Sequence, residues 1–394
     1  METDSSADCL PVPMLDVNRQ NAPLRAEFDA AMAEVVGSGA FVHGPACQQL
    51  EQAIADYCGT QHAVGCASGS DALLLALMVL GIGPGDEVII PSFTFFATAG
   101  AVWRLGAKPV FADLDPETFN INPADVAEKI NSATKAIITV HLFGQCADMR
   151  ALRKVADEAG GLPIIEDAAQ AIGAEYQGKR AGSLGELGCF SFYPTKNLGG
   201  FGDGGMITTD DEQVAAKLRT LRDHGQQPRY HHALVGVNSR LDTMQAAVLL
   251  VKLSKLDEWS AGRQQNARRY REEFKRLQLD RHLGIPQEAE SCSSVWNQYT
   301  IRVPEGRRDE LQQALAAQKI GSAVYYPIPL HLQPCFSALG YSPGSLPETE
   351  RAADEVLSLP IFPELATTEQ DQVLKALAEF FGVDCVDRDQ CQAA

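Results

Sequence analysis

A chain of 394 residues, 45% hydrophobic and 21% charged, has the make-up of a globular enzyme and is long enough for two domains. Its formal net charge of −18, uncompensated by any local basic stripe, excludes a nucleic-acid surface, and no apolar run approaches the roughly 18 residues of a membrane span. Ten cysteines without a C-x-x-C pair point to buried thiols in a reducing cytoplasm, not to disulfides or zinc, and the N-terminal stretch lacks the features of a secretion signal.

In chain order, residues 1–11 and 386–394 are polar and aperiodic and read as loose ends. Pro13-Met14-Leu15-Asp16 leads into a helix expected from Pro23 to Val36, with Leu24, Phe28, Met32, Val35 and Val36 on its apolar side, stopping at Gly37-Ser38-Gly39. Gly39-Ala40-Phe41-Val42-His43-Gly44-Pro45, taken alone, is a Gly/Pro turn. His62–Ala67 reads as a strand, and Ser68-Gly69-Ser70-Asp71 opens a helix over Ala72–Leu80. Free N–H groups at such a positive helix terminus suit a phosphate; an ordinary N-cap is the alternative. Asp86–Ile90 is a strand closed by Pro91, and Ser92–Thr98 starts the next helix. An aromatic at that junction can stack on a flat heteroaromatic ring, with a benefit of about 1 kcal/mol beyond burial, while core packing competes for Phe93 and Phe96.

Strands at Pro109–Ala112 and Lys135–Val140 flank a helix beginning at Pro123, and Asp148–Glu158 is helical. This alternation predicts a mostly parallel sheet with helices on both faces. His141, at its strand's end, is either a ligand contact or a structural histidine.

Leu162, Ile164 and Ile165 end in Glu166-Asp167, a buried strand delivering a carboxylate at its C-terminal end, where open α/β sheets place ligands. Cys189–Tyr193 stops at Pro194, and Lys196 follows in a segment of small residues, hemmed in by aromatics that could lower its pKa towards that of an amine nucleophile. An acid at a strand end and a lysine on a tight loop are the pair that pyridoxal 5′-phosphate (PLP) needs. Gly200-Phe201-Gly202-Asp203-Gly204-Gly205 matches the dinucleotide fingerprint G-x-G-x-x-G, but it precedes a strand, Met206–Thr209, instead of following one, so a Rossmann reading fails.

Asp211–Arg222 is helical; His231-His232 has no third ligand at suitable spacing, and no metal is expected. Amphipathic helices at Met244–Trp259 and Arg263–Leu277 connect to a region of short alternating elements: a strand Gln298–Val303, a helix Arg308–Gln318 and a strand into Tyr325-Tyr326-Pro327. The expected organisation is a large domain over residues 1–255 and a smaller α+β domain over 256–394.

The run EDAAQ-x-x-G-A-x-Y-x-G-K, followed by G-x-x-G-x-x-x-C-F-S-F-Y-P-T-K-N-L-G-x-x-G-D-G-G, resembles the DegT/DnrJ/EryC1/StrS sugar aminotransferases, and the resemblance extends from about Val12 to about Phe380. It implies an aspartate-aminotransferase-like, fold type I α/β enzyme in which Lys196 binds PLP as a Schiff base and then moves the proton, while Asp167 keeps the pyridine nitrogen protonated. By the same resemblance Phe95 stacks on the ring, Gln170 meets its 3′-oxygen, and Gly69, Ser70 and Ser191 hold the phosphate. Ser70 stands where the family usually has threonine. The implied assembly is a homodimer with shared sites, Asn238 reaching the neighbour's phosphate. The loop around His43, together with Arg240, Tyr325, Tyr326 and His331, resembles the segments that meet a nucleotide-linked keto sugar, with glutamate as amino donor. Asn238-Ser239-Arg240-Leu241-Asp242, preceded by Arg229-Tyr230-His231-His232, looks like enzymes aminating C-3; a C-4 aminotransferase is the alternative. Dehydratase relatives replace the Schiff-base lysine with histidine, which disfavours that reading here, and retention of Phe95, Asp167, Ser191 and Lys196 disfavours a non-catalytic regulator.

Overall fold

In the computed structural model, which describes residues 10–383, the apolar runs form a seven-stranded sheet. Along the chain come β1 (His62–Cys66), β2 (Glu87–Pro91), β3 (Lys108–Ala112), β4 (Thr134–Val140) and β5 (Ile164–Asp167). Two short strands outside that sheet follow, β6 (Glu175–Tyr176) and β7 (Lys179–Arg180), then β8 (Leu187–Ser191) and β9 (Gly205–Thr209). The spatial order is β1-β9-β8-β5-β4-β2-β3. Only β9 runs against its neighbours, β1 and β8; the remaining pairs are parallel, as expected for strands joined through helices.

Both faces of the sheet are buried, which is why its strands read as continuous apolar runs. Ile89, Ile137 and Ile164 face helices Pro45–Cys58, Pro123–Lys129 and Met149–Glu158. Val88, Ile90, Ile138 and Ile165 face helices Gly69–Val79, Ala97–Arg104 and Glu212–Leu221. Burial of each such side chain is worth about 1.5–3 kcal/mol. The carboxyl ends of β5 and β8 carry Asp167 and Ser191, and the helix starting at Gly69 follows β1.

A separate core gathers Tyr270, Phe274, Tyr299, Ile301, Leu315, Leu357 and Leu377 around the antiparallel pair β11 (Tyr299–Arg302) and β12 (Val356–Leu359). Short β10 (Cys292–Ser293) joins β6 and β7 in a three-stranded sheet. Val12 belongs to this second core and bridges Ile320, so the N-terminal arm packs away from the large sheet it precedes in sequence.

Several elements depart from expectation. Helix Pro45–Cys58 was not anticipated, because its glutamines blur the apolar stripe of Cys47, Leu50, Ile54 and Cys58. The expected pair of helices breaks at Ser254-Lys255, and one 21-residue helix, Leu256–Arg276, runs straight through Gly262. That glycine serves close approach, since a Cβ there would lie 3.1 Å from Pro363 Cα. No strand leads into Tyr325; only an isolated bridge pairs Ala323 with Ser358. Of the expected loose ends, residues 1–11 and 386–394, residues 1–9 and 386–394 lie outside the described residues, as do Cys9, Cys385 and Cys391. Five of the described cysteines are free and buried, Cys292 is half-buried and Cys335 exposed.

Candidate active site

The last two residues of β5 are adjacent carboxylates, and strand alternation sends them to opposite faces. Glu166 accepts hydrogen bonds from the backbone N–H groups of Gly182, Leu184 and Gly185 at 2.8, 2.7 and 2.7 Å and from His141 Nε2 at 2.9 Å. Since Nε2 donates to a carboxylate, Nδ1 is the acceptor for Ala147 N–H at 3.2 Å. Both His141 nitrogens are used, and this histidine is structural.

Asp167 points the other way, where its Oδ2 accepts from Thr98 Oγ1 at 2.8 Å and its Oδ1 from Ala169 N–H at 3.3 Å. Burial pushes its carboxyl up, opposed by these two hydrogen bonds and by the charge of Lys196.

Lys196 follows β8 on a tight loop closed by Lys196 N–H to Tyr193 C=O and Gly200 N–H to Phe192 C=O, both 2.8 Å. Position 199 admits only glycine, because a Cβ would fall 2.3 Å from Pro194 O. Burial lowers the Lys196 amine to about 8, with Asp167 pulling the other way. A substantial neutral fraction near physiological pH is what a nucleophilic amine requires.

Ser68 caps helix Gly69–Val79 by accepting from Asp71 N–H at 3.1 Å. A Cβ on Gly69 would lie 2.6 Å from Ser191 Cβ and 3.1 Å from its Oγ, and one on Gly205 would lie 2.4 Å from Ser68 C. Backbone thus meets backbone at the positive end of the helix, with the Ser191 hydroxyl alongside and Ser70 as the helix's second residue.

Phe95 leaves 57% of its surface open, and its ring centroid lies 6.3 Å from that of Tyr326. Gln170 Oε1 accepts from Phe143 N–H at 2.7 Å, which orients its amide nitrogen towards Tyr326 Oη at 3.4 Å. Tyr325 packs edge-on against Tyr326, and burial raises both hydroxyls. Phe93 is core, whereas Phe96 stacks one face on Phe336 and keeps the rest exposed.

His43 and Arg240 gather elsewhere, around Asp223: Arg240 Nη1 donates to its Oδ1 at 2.8 Å, and His43 Nε2 stands 3.9 Å from its Oδ2. Asn238 is exposed beside them. His331 sits in a hydrogen-bond network of its own. It is 1% exposed, its Nε2 donates to Glu350 at 3.2 Å and its Nδ1 accepts from Ser92 Oγ at 2.7 Å. With both nitrogens engaged it braces the Tyr325–Pro329 loop against the end of β2. Thr98 and Asp223 escaped the sequence reading; for Thr98 the available signal was a second threonine one turn after Thr94.

These residues fit PLP: the glycine-lined cradle at Gly69 and Ser191 admits a phosphate, Asp167 can meet a pyridinium, and Lys196 can condense with an aldehyde. Among the described residues no His/Cys/Asp/Glu group could hold a metal, and no helix is long and apolar enough to cross a membrane.

The model of the DegT/DnrJ/EryC1/StrS aminotransferase family matches residues 23–378. The chain is 51% identical over 94% of its length, and 98% of the relative's, to a "Pleiotropic regulatory protein" of Geobacillus stearothermophilus. It is 44% identical over 93% of its length, and 99% of the relative's, to UDP-2-acetamido-2-deoxy-3-oxo-D-glucuronate aminotransferase of Pseudomonas aeruginosa. Among solved structures, S. venezuelae DesV in complex with a ketimine intermediate superposes with a TM-score of 0.91 at 45% identity, covering 96% of this chain and all of that one. Matched by the family's model over most of its length, and 44–51% identical to relatives that it covers almost completely, the chain is a member of the DegT/DnrJ/EryC1/StrS aminotransferase family.

Proposed function

We propose that the protein transfers an amino group from glutamate to the C-3 keto group of a nucleotide-linked hexose. The observation that carries this reading is a buried Lys196 amine within the field of the buried Asp167 carboxylate, on a chain that also builds the Gly69–Ser191 cradle. PLP, when bound, supplies an aldehyde and an electron-withdrawing ring. The chain's residues do the rest: Lys196 offers an amine lowered to about 8 and afterwards carries the proton, Asp167 holds a positive charge at the ring nitrogen, and Phe95 and Tyr326 wall the space above. C-3 is favoured over C-4 by the Asn238–Asp242 sequence and by the 3-oxo sugar named for the Pseudomonas aeruginosa relative.

A homodimer is part of the reading. Phe41, Val42, Phe201, Tyr230 and Val235 leave between 44% and 92% of their surface exposed, apolar area that a partner subunit would cover. Asn238 and Arg240 would then serve the partner's site. We read residues 1–255 as the cofactor-binding unit and 256–394 as the smaller one, the whole acting in the cytoplasm in polysaccharide, lipopolysaccharide, lipid A or antibiotic sugar synthesis. The test is turnover of nucleotide-linked 3-keto and 4-keto hexoses with glutamate, with NMR of the product. A 3-amino sugar formed by the wild type and not by Lys196→Ala supports the reading; turnover by Lys196→Ala, or amination at C-4, refutes it. A regulator without catalysis would give no amino sugar with either protein.

A further inference from the structure

We propose that Thr98, backed by Thr94, is a positioning residue that holds the Asp167 carboxylate ionised and aimed at the cofactor's ring nitrogen. The proposal rests on the PLP reading above and assigns a role to a residue outside the lysine–aspartate pair.

Both threonines are buried, at 3% and 0% exposure for Thr94 and Thr98, and lie one turn apart where helix Ala97–Arg104 begins. Thr98 Oγ1 stands 2.8 Å from Asp167 Oδ2 and 3.3 Å from Thr94 Oγ1. An ionised carboxylate only accepts, so the single Thr98 proton points to Asp167, and Thr98 in turn accepts the Thr94 proton. The result is a one-directional relay, Thr94 to Thr98 to Asp167, in a buried site where aligned hydrogen bonds polarise one another.

The other groups around Asp167 do not take this place. Ala169 N–H serves the other oxygen, Oδ1. His141 gives its Nε2 proton to Glu166. Cys189, paired with Asp167 across β5 and β8, is a thiol pushed well up by burial. The Tyr326 hydroxyl is likewise raised by burial and faces Gln170. Lys196 contributes charge but is committed to the cofactor aldehyde. Burial drives Asp167 towards its neutral form, and the Thr98 hydrogen bond is the strongest opposing influence. A neutral Asp167 could not hold a pyridinium. The same five-residue segment also presents Phe95, so one turn of chain positions both an aromatic wall and the acid.

The test is equilibrium binding of PLP and of 1-deaza-PLP, in which C–H replaces the ring nitrogen, to the cofactor-free wild type and to Thr98→Val, Thr98→Ser and Thr94→Val. A hydrogen bond to a charged group is worth enough that Thr98→Val should weaken PLP binding about tenfold while leaving 1-deaza-PLP within about twofold. Thr98→Ser should restore the preference for PLP, and Thr94→Val should give a smaller loss in the same direction. Equal losses for both ligands in Thr98→Val, or no loss of PLP, would overturn the proposal. If Thr98→Val does not fold by circular dichroism, the Thr94→Val comparison decides alone, and equal losses there overturn it. A wild type that forms no borohydride-reducible bond with PLP would overturn the underlying reading, and the proposal with it.

Discussion

Gly69 and Ser191 touch so closely that position 69 has no room for a side chain: a Cβ there would lie 2.6 Å from Ser191 Cβ. Neither neighbour can retreat cheaply, since Gly69 starts a helix and Ser191 ends β8. Gly69→Ala is expected to lower PLP affinity by roughly 5- to 150-fold, if the 1–3 kcal/mol typical of overpacking falls on the bound state. Pyridoxal, which lacks the phosphate, should bind nearly as to the wild type. Parallel titrations with both ligands check this; equal losses would place the damage outside a phosphate cradle.

Lys196 makes a pH prediction. Its amine is lowered to about 8 by burial, so in the cofactor-free protein raising the pH through 8 converts ammonium to free amine. The rate of condensation with PLP should therefore rise with a midpoint near pH 8 and level off above it. Asp167 raises this pKa, so Asp167→Asn should move the midpoint down. Stopped-flow absorbance across pH 6–10 measures both, and a midpoint near the 10.5 of an ordinary lysine would contradict the buried placement.

His331 and Glu350 hold the loop after Tyr325 from behind, with Ser92 as the third member. His331→Phe leaves the Ser92 hydroxyl and the Glu350 carboxylate short of a partner and should cost about 1–3 kcal/mol, read as a shift in the urea midpoint. A variant that kept its stability but bound sugar nucleotide poorly would make His331 a substrate contact instead of a brace.

Asp113 caps a helix far from it in sequence. Its carboxylate accepts from the N–H groups of Glu348 at 3.1 Å and Thr349 at 2.7 Å, in the first turn of helix Pro347–Glu355. Asp113→Ala should destabilise the protein by about 1–2 kcal/mol, as loss of an N-cap does, with Asp113→Asn recovering part of it. Thermal unfolding of the three proteins measures the effect.

Local pattern was enough to show the strands of the large sheet and to single out Lys196 and Asp167. A strand buried on both faces must be apolar throughout, so Ile164-Ile165 ending in Glu166-Asp167 announced both its burial and the strand end at which open α/β sheets place ligands. Lys196 among Asn197, Leu198, Gly199 and Gly200 announced a lysine held by backbone, and the strand after Gly205 disposed of the dinucleotide fingerprint. Which face each carboxylate takes, which hydroxyl reaches Asp167 and what surrounds His331 were decided by contacts that no window of sequence contains. Thr98 and Asp167 are 69 residues apart, and Ser92 and His331 are 239 apart. Periodicity belongs to neighbours along the chain, whereas hydrogen-bond partners of buried side chains are chosen only when helices and strands from distant stretches pack together and leave one acceptor within reach of one donor.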